Sequence, residues 1–264
     1  MFPAAVFLVL ARGHRRIKLT QEGAYLYERA QEILSLTDQT TSQLQSGAVV
    51  SGTINIGAGE SSTVGPVMQA LAQIMTHYPH VRVNLVSGDN VTLRQQLDTG
   101  FLDFAVLMGH ENLTDYNTLP LKRGNRWGVM MTATTPLAQK AAITPQDLVG
   151  QPLLTSVQTE RQDTFRQWAG DVLSQFNFVG QYNLLFNAGL LVKTGACLAL
   201  CYDGLVNVEA GSGLVFRPLT PTVIDSNTLV WNKNYHLPNV AQLFIKEMRA
   251  LINDLKCQFK LEKR

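Results

Sequence analysis

Apolar and polar residues change rhythm several times along this chain, and the changes outline its elements. Residues 53–57 (Thr-Ile-Asn-Ile-Gly) alternate with a period of two, as a strand does. Gly59-Glu60-Ser61-Ser62-Thr63 breaks that alternation. Val67, Leu71, Ile74 and Met75 then recur at helical spacing over 66–77, until Tyr78-Pro79 stops the run. Residues 81–86 predict a second strand, 90–98 a helix and 104–108 a third strand. A second series follows: strands over 127–132, 152–156, 180–186 and 196–201, with helices over 144–149, 163–175 and 188–193. One more strand over 228–232 and an amphipathic helix over 240–256 close the chain. Strands alternating with helices imply right-handed βαβ units and parallel sheets. Two such α/β lobes, with the chain returning at its end, predict a ligand cleft between them.

The first fifty residues differ. The tract RGHRRIKLTQEG over 12–23 is basic, with no acid before Glu22. Thr20 is a plausible N-cap for a helix over 21–45, in which Leu26, Ala30, Ile33, Thr37 and Leu44 form a weak apolar seam. Such a helix at the edge of a globular unit suits pairing between two subunits, with packing against its own domain as the plainer alternative. Glycines and serines from Ser46 to Gly52 read as a linker.

Composition narrows the functions. The chain has 264 residues, 45% hydrophobic and 16% charged, enough for a sizeable core and unlike a disordered chain. A net charge of +2 excludes nucleic-acid binding by bulk electrostatics, so any DNA contact must be local. No apolar run reaches the length of a membrane span, and no membrane partner is expected. The apolar stretch over 2–11 has the length of a signal-peptide core but lacks a basic segment before it, so a cytoplasmic location is expected. Cys197, Cys201 and Cys257 fit reduced thiols, with Cys197 and Cys201 as small buried hydrophobes. No histidine or carboxylate cluster completes a metal site around them, and no cofactor is expected.

Ligands of open α/β sheets bind beyond the carboxyl ends of the strands. Ser61, Ser62 and Thr63 lie at such a strand end, ahead of a helix starting near Gly65-Pro66. Hydroxyls and backbone N–H groups at a helix start can seat a carboxylate or phosphate, although one hydroxyl suffices for a simple N-cap. Thr155, Ser156 and Gln158 follow a strand end in the second lobe, and Asn187 opens a helix after Phe186. No G-x-S-x-G, Walker loop, H-E-x-x-H or C-x-x-C is present, and Gly57-Ala58-Gly59 lacks the third glycine of a dinucleotide site. An enzyme is not expected.

In order, RGHRRIKLTQEG, a long helix, SGTINIGAG, YPHVRVNLVSGDN, LRQQLDTGFLDFAVL, ITPQDLVGQPLL and LLVKTGACLALCYDGLV strongly resemble LysR-type transcriptional regulators. The Tyr78-Pro79-x-Val81-x-Val83-x-Leu85 tract and the spaced Leu93, Leu97, Gly100, Asp103 and Val106 are the most specific part, within a resemblance covering about 12–258. The resemblance implies a remnant of a winged helix-turn-helix over 1–20 and a linker and dimerisation helix over 21–50. It implies a two-lobed, periplasmic-binding-protein-like effector domain over 51–264, built of two doubly wound sheets. Lobe I would comprise about 51–118 and 222–264, and lobe II about 119–221.

By the same resemblance, a small-molecule and in particular anionic effector would meet Ser61, Ser62 and Thr63 from one lobe and Ser156 and Asn187 from the other. Arg15, Arg16 and Lys18 would contact phosphates of double-stranded DNA, and the protein would form a dimer or tetramer. Eleven residues before Arg12 are too few for the preceding helices, so DNA binding by the chain as written is expected to be impaired. A sensor that does not bind DNA, or a solute-binding protein of the same architecture, is the alternative.

Overall fold

The structure is a computed structural model and describes residues 10–12, 17–45, 50–109, 112–157, 164–205 and 211–261. A short antiparallel ribbon comes first, β1 (Leu10–Arg12) against β2 (Ile17–Leu19), with Leu10 opposite Leu19. Thr20 then caps α1 (Gln21–Gln45), its Oγ1 accepting from the Gly23 N–H at 2.9 Å. On α1 the side chains of Tyr25, Leu26, Tyr27, Ile33 and Leu34 are exposed.

The first lobe follows the predicted rhythm. It runs through β3 (Gly52–Ala58), α2 (Gly65–His77), β4 (Val81–Ser87), α3 (Asn90–Asp98) and β5 (Phe104–Met108). Pro66 lies in the first turn of α2, where its missing N–H would be unpaired anyway, and Val67, Ala70, Leu71 and Ile74 are buried. The Asp89 carboxylate caps α3 by accepting from Thr92 N at 2.8 Å. Strand β3 lies between β4 and β5, parallel to both.

Strand β6 (Tyr116–Thr132) is seventeen residues long and passes from one lobe into the other. Lobe II continues with β7 (Pro152–Ser156), α4 (Thr164–Ala169), β8 (Asn177–Tyr182), α5 (Leu185–Lys193), β9 (Leu198–Tyr202) and β10 (Leu214–Pro218). Strand β11 (Ile224–Asn232) then returns the chain to lobe I, where α6 (Asn239–Leu261) covers the sheet. Val240, Ala241, Phe244 and Met248 of α6 share a buried core with Ile54, Ile56 and Phe104, and the Phe104 and Phe244 ring centroids are 4.8 Å apart.

Apart from the β1–β2 ribbon, the strands form one path, β4-β3-β5-β11-β6-β9-β7-β8, with β10 also on β6. Residues 116–126 of β6 pair with β11, whereas Trp127 to Met130 pair with β9 and Gly128 to Thr132 with β10. Side chains of β6 alternate beyond the crossing: Trp127, Val129 and Met131 enter one lobe II core and Met130 the other. Gly128 has no room for a side chain, since a Cβ there would lie 2.1 Å from the Phe216 ring and 2.5 Å from the Arg217 carbonyl oxygen.

Four sequence expectations change. The sheets are mixed rather than parallel throughout, because β6 and β11 run antiparallel to each other, β11 to β5, and β6 to β9 and β10. The strand expected over 127–132 is the second half of β6. Pro120 and Gly124 hide the first half from a search for alternation, and there β11 is the neighbour that pairs with it. The helix expected over 163–175 is α4 followed by a 3₁₀ segment, Gly170–Gln175, and the two meet at Gly170 with φ +54°. Finally, β8 ends at Tyr182 and α5 begins at Leu185, so the apolar run 184–186 initiates a helix rather than completing a strand. Asn187 therefore does not open that helix but lies within its first turn.

Candidate functional site

Between β3 and α2 the chain turns through the hydroxyl trio and meets the two crossing strands. Ser61 is the N-cap of the 3₁₀ turn Ser62–Val64, its Oγ accepting from Thr63 N at 3.0 Å. Both Ser61 and Thr63 also donate to Oδ1 of Asn125 on β6, Thr63 at 2.9 Å. Asn125 Nδ2 donates to Asn227 Oδ1 of β11 at 2.6 Å, and Asn227 Nδ2 donates to Thr63 Oγ1. Asn125 and Asn227 are 2% and 0% exposed, so water does not compete for these bonds.

Beside this pair lies Asp225, also fully buried. Its Oδ2 accepts from Trp127 Nε1 and from the Tyr202 hydroxyl, each at 2.7 Å, and Oδ1 faces Thr164 Oγ1 at 3.5 Å. The Trp127 and Tyr202 rings pack at 4.3 Å between centroids. Burial first, and then the Asp225 carboxylate, holds the Tyr202 phenol well above its ordinary range. Burial also raises Tyr182, whose hydroxyl donates to the Leu200 carbonyl at 2.6 Å. Both phenols are therefore neutral donors at physiological pH.

Where the lobes face each other, the contacts are fewer. Leu185 N, at the start of α5, donates to Glu60 Oε2 of lobe I at 2.7 Å. Ser62 Oγ donates to the Asp203 carbonyl at 3.1 Å, and Asp203 pairs with Arg126 in a half-exposed ion pair. Gly204 adopts φ +76°, and a Cβ there would lie 3.1 Å from Ser62 Oγ, so glycine lets the lobes approach. Behind these contacts is a cavity of about 30 Å³ lined from both lobes, by Glu60 and Met108 and by Trp127, Ser156, Tyr182, Asn183 and Tyr202. On the lobe I side, a more open groove of about 350 Å³ is lined by Glu60, Ser61, Ser62, Met68, Leu85 and Ser87, among others.

Glu60, Ser61, Ser62, Thr63 and Ser156 thus gather about the inter-lobe region, with different partners. Ser61 and Thr63 are engaged with the crossing strands, Ser62 bridges to lobe II, and Ser156 lines the small cavity. Thr155 is buried, and Gln158 lies outside the described residues. Asn187 is exposed on α5, and Asn183 lines the cavity instead, its Oδ1 accepting from Leu184 N at 2.9 Å. Arg15 and Arg16 lie outside the described residues; Lys18 is in β2, where only the backbone is described. Glu60, Asn125, Trp127, Tyr202, Asp225 and Asn227 were not legible as site residues. The one local signal was Glu60 itself, a carboxylate two residues past a strand end.

Among the described residues, no group of three or more His, Cys, Asp and Glu is placed to hold a metal ion, and no helix is long and apolar enough to cross a membrane. Cys197 and Cys201 are buried free thiols. Burial pushes the Cys201 thiol up to about 12, which leaves little reactive thiolate.

The LysR substrate binding domain family matches residues 47–252. The HTH-type transcriptional regulator YtlI of Bacillus subtilis is 29% identical over 149 residues, which are 53% of this chain and 46% of that protein; the match thus spans about half the length of that relative. Among solved structures, HinK, a LysR family transcriptional regulator from Pseudomonas aeruginosa, shares the fold with a TM-score of 0.64 and 24% identity, over 90% of this chain and 82% of that one. Full-length CbnR, solved with its target DNA, superposes with a TM-score of 0.69 at 15% identity, over 92% of this chain and 84% of that one. A family match across most of the chain, on a fold whose two lobes are joined by crossing strands, establishes that this chain belongs to the LysR family of transcriptional regulators.

Proposed function

We propose that this chain senses a small-molecule effector between its lobes and that the response alters transcription in the cytoplasm. The observation that carries this reading is the inter-lobe cavity. Its wall comes from both lobes, and only a few bonds close it. At about 30 Å³ this partly open cavity has room for a water molecule or two, and on this reading an effector is admitted when the lobes part. An effector that prefers one lobe arrangement shifts the equilibrium by its differential affinity. Trp127, in the cavity wall, reports the event. Small molecules titrated onto the full chain are expected to change its tryptophan emission and, on binding, its radius of gyration. A ligand that binds equally well after Trp127→Phe and Ser156→Ala, with no change in scattering, would place sensing outside the cleft.

The proposed DNA contacts are Arg15, Arg16 and Lys18, carried by the tract that includes the β1–β2 ribbon, as phosphate contacts to double-stranded DNA. Self-association, as a dimer or tetramer, is supported by the exposed Leu26, Ile33 and Leu34 of α1 and the exposed Phe186 and Leu190 of α5. Ile33→Asp is expected to lower the molar mass measured by light scattering. An unchanged mass would remove α1 from the interface.

The effector-contact set proposed is Ser62, Ser156 and Asn183, with Glu60 as the charged group. Support for an anionic effector is weaker than the hydroxyl trio suggested, because Ser61 and Thr63 already bond Asn125 and the start of α5 already holds a carboxylate.

A further inference from the structure

Helix α5 begins without a cap of its own. Leu184 occupies the N-cap position, and leucine has no side-chain acceptor to offer. The Leu185 N–H is met instead by Glu60, 125 residues earlier and in the other lobe. Glu60 lines both the small inter-lobe cavity and the open groove of lobe I. A carboxylate at a helix start is favoured by the unpaired N–H groups and by the helix dipole. This position is thus already filled by a group tethered to the protein.

We propose that Glu60 is an internal anion that latches the lobes together at the start of α5 and bars free anions from that position. The proposal deepens the reading of the cleft as the effector site by restricting what can enter. A tethered carboxylate outcompetes a dissolved one, because its arrival carries no further loss of translational freedom. Small carboxylates and sulfate therefore gain nothing at α5 while Glu60 is in place. An effector must approach the remaining wall, where Ser156, Asn183 and the Glu60 carboxylate present hydrogen-bonding groups. A neutral or cationic molecule that donates hydrogen bonds fits this wall. Ser62, bonded to Asp203, forms the second point of closure.

The test is chemical rescue on the full 264-residue chain. Glu60→Ala removes the carboxylate and leaves room for acetate or propionate. Its Tm is expected to fall by about 2–4 °C, the size of one lost cap in a chain of this length. Acetate and propionate at 10–100 mM, on the order of the effective concentration of a tethered group, should restore that loss relative to sodium chloride at matched ionic strength. The same salts should leave the parent chain unmoved. Glu60→Gln keeps the shape and one acceptor, so it guards against a variant that fails to fold. In Glu60→Gln, hydrogen exchange at the Leu185 amide should be faster than in the parent chain but slower than in Glu60→Ala.

A Glu60→Ala chain with unchanged Tm and no response to carboxylates would overturn the latch. So would carboxylates that stabilise the parent and the variant equally, or Leu185 exchange that ignores both substitutions. None of these readouts uses an effector. The latch can therefore fail while effector binding stands, and a cleft that binds no effector would leave the rescue readable.

Discussion

The two lobes meet in two ways, and the bonds differ in kind. At the crossing of β6 and β11, Asn125, Asp225 and Asn227 are almost completely buried and bonded through side chains to each other, to Trp127 or to Tyr202. At the cleft mouth, part-buried Glu60 and exposed Ser62 each make one bond to backbone of the other lobe, fewer than at the crossing, and the neighbouring Arg126–Asp203 pair is half exposed. A buried polar group that loses its partner has no water to replace it, whereas an exposed one exchanges its bond for water at little net change. The crossing is therefore a fixed joint and the mouth a reversible contact. A two-lobed sensor requires both: a pivot that survives each cycle and a closure that a ligand can shift.

The strongest way to break this distinction is at Asp225. Asp225→Ala leaves the Trp127 indole and the Tyr202 hydroxyl without their acceptor. Urea denaturation is expected to show a loss of roughly 2–6 kcal/mol, at 1–3 for each stranded donor. A loss below 1 kcal/mol would mean that the crossing is not a fixed joint.

Asp103 is the next test, because it is a buried carboxylate outside the crossing. Asn55 meets it with a backbone N–H at 2.7 Å and a side-chain amide at 3.3 Å. Burial dominates these bonds and pushes the carboxyl up to about 6 from 3.8. The native state then binds the proton more tightly than the unfolded chain. This group's contribution to stability is fully present below about pH 4 and falls as pH rises to about 6, by roughly 3 kcal/mol over two units. Asp103→Asn should remove that slope and be the more stable form at pH 7. Urea titrations of both proteins at pH 4.5 and 7 measure the difference, and parallel pH profiles would refute it.

Smallest of all should be Ser62→Ala at the cleft mouth. Losing one exposed hydroxyl bond should change global stability by no more than about 1 kcal/mol. Its effect should appear in solution scattering, as a larger radius of gyration from lobes that part more often. A stability loss as large as that of Asp225→Ala would erase the contrast between mouth and joint.

Legibility in the sequence follows the same division. The alternation at 53–57, the helical spacing of Val67, Leu71 and Ile74, and the Thr20 cap were all readable, because each depends on neighbours within a few residues. So was the hydroxyl trio, placed at a strand end by local pattern alone. Its role was not readable: the same serines and threonine serve a ligand site or a simple cap, and only Asn125, more than sixty residues away, shows that Ser61 and Thr63 brace the joint. The first half of β6 was hidden because proline and glycine interrupt its period, while pairing with β11 holds it straight. Asn187 was misplaced by two residues at a helix start, since an apolar run of three carries no signal that separates a strand end from a first helical turn.

By itself, then, the sequence determined most of the order of elements, though not β10 or the first half of β6, together with the two α/β lobes and the likeness to LysR-type regulators, all of which are written in short-range periodicity and spacing. Only the tertiary structure decided that the lobes share two antiparallel strands, that Asp225 and the asparagine pair lock their crossing, and that Glu60 caps a helix in the opposite lobe. The Trp127–Asp225, Glu60–Leu185 and Thr63–Asn227 bonds join residues 98 to 164 positions apart, and no local pattern encodes a partner at that distance. They arise when hydrophobic burial folds the sheets together and leaves each enclosed polar group to find its bond.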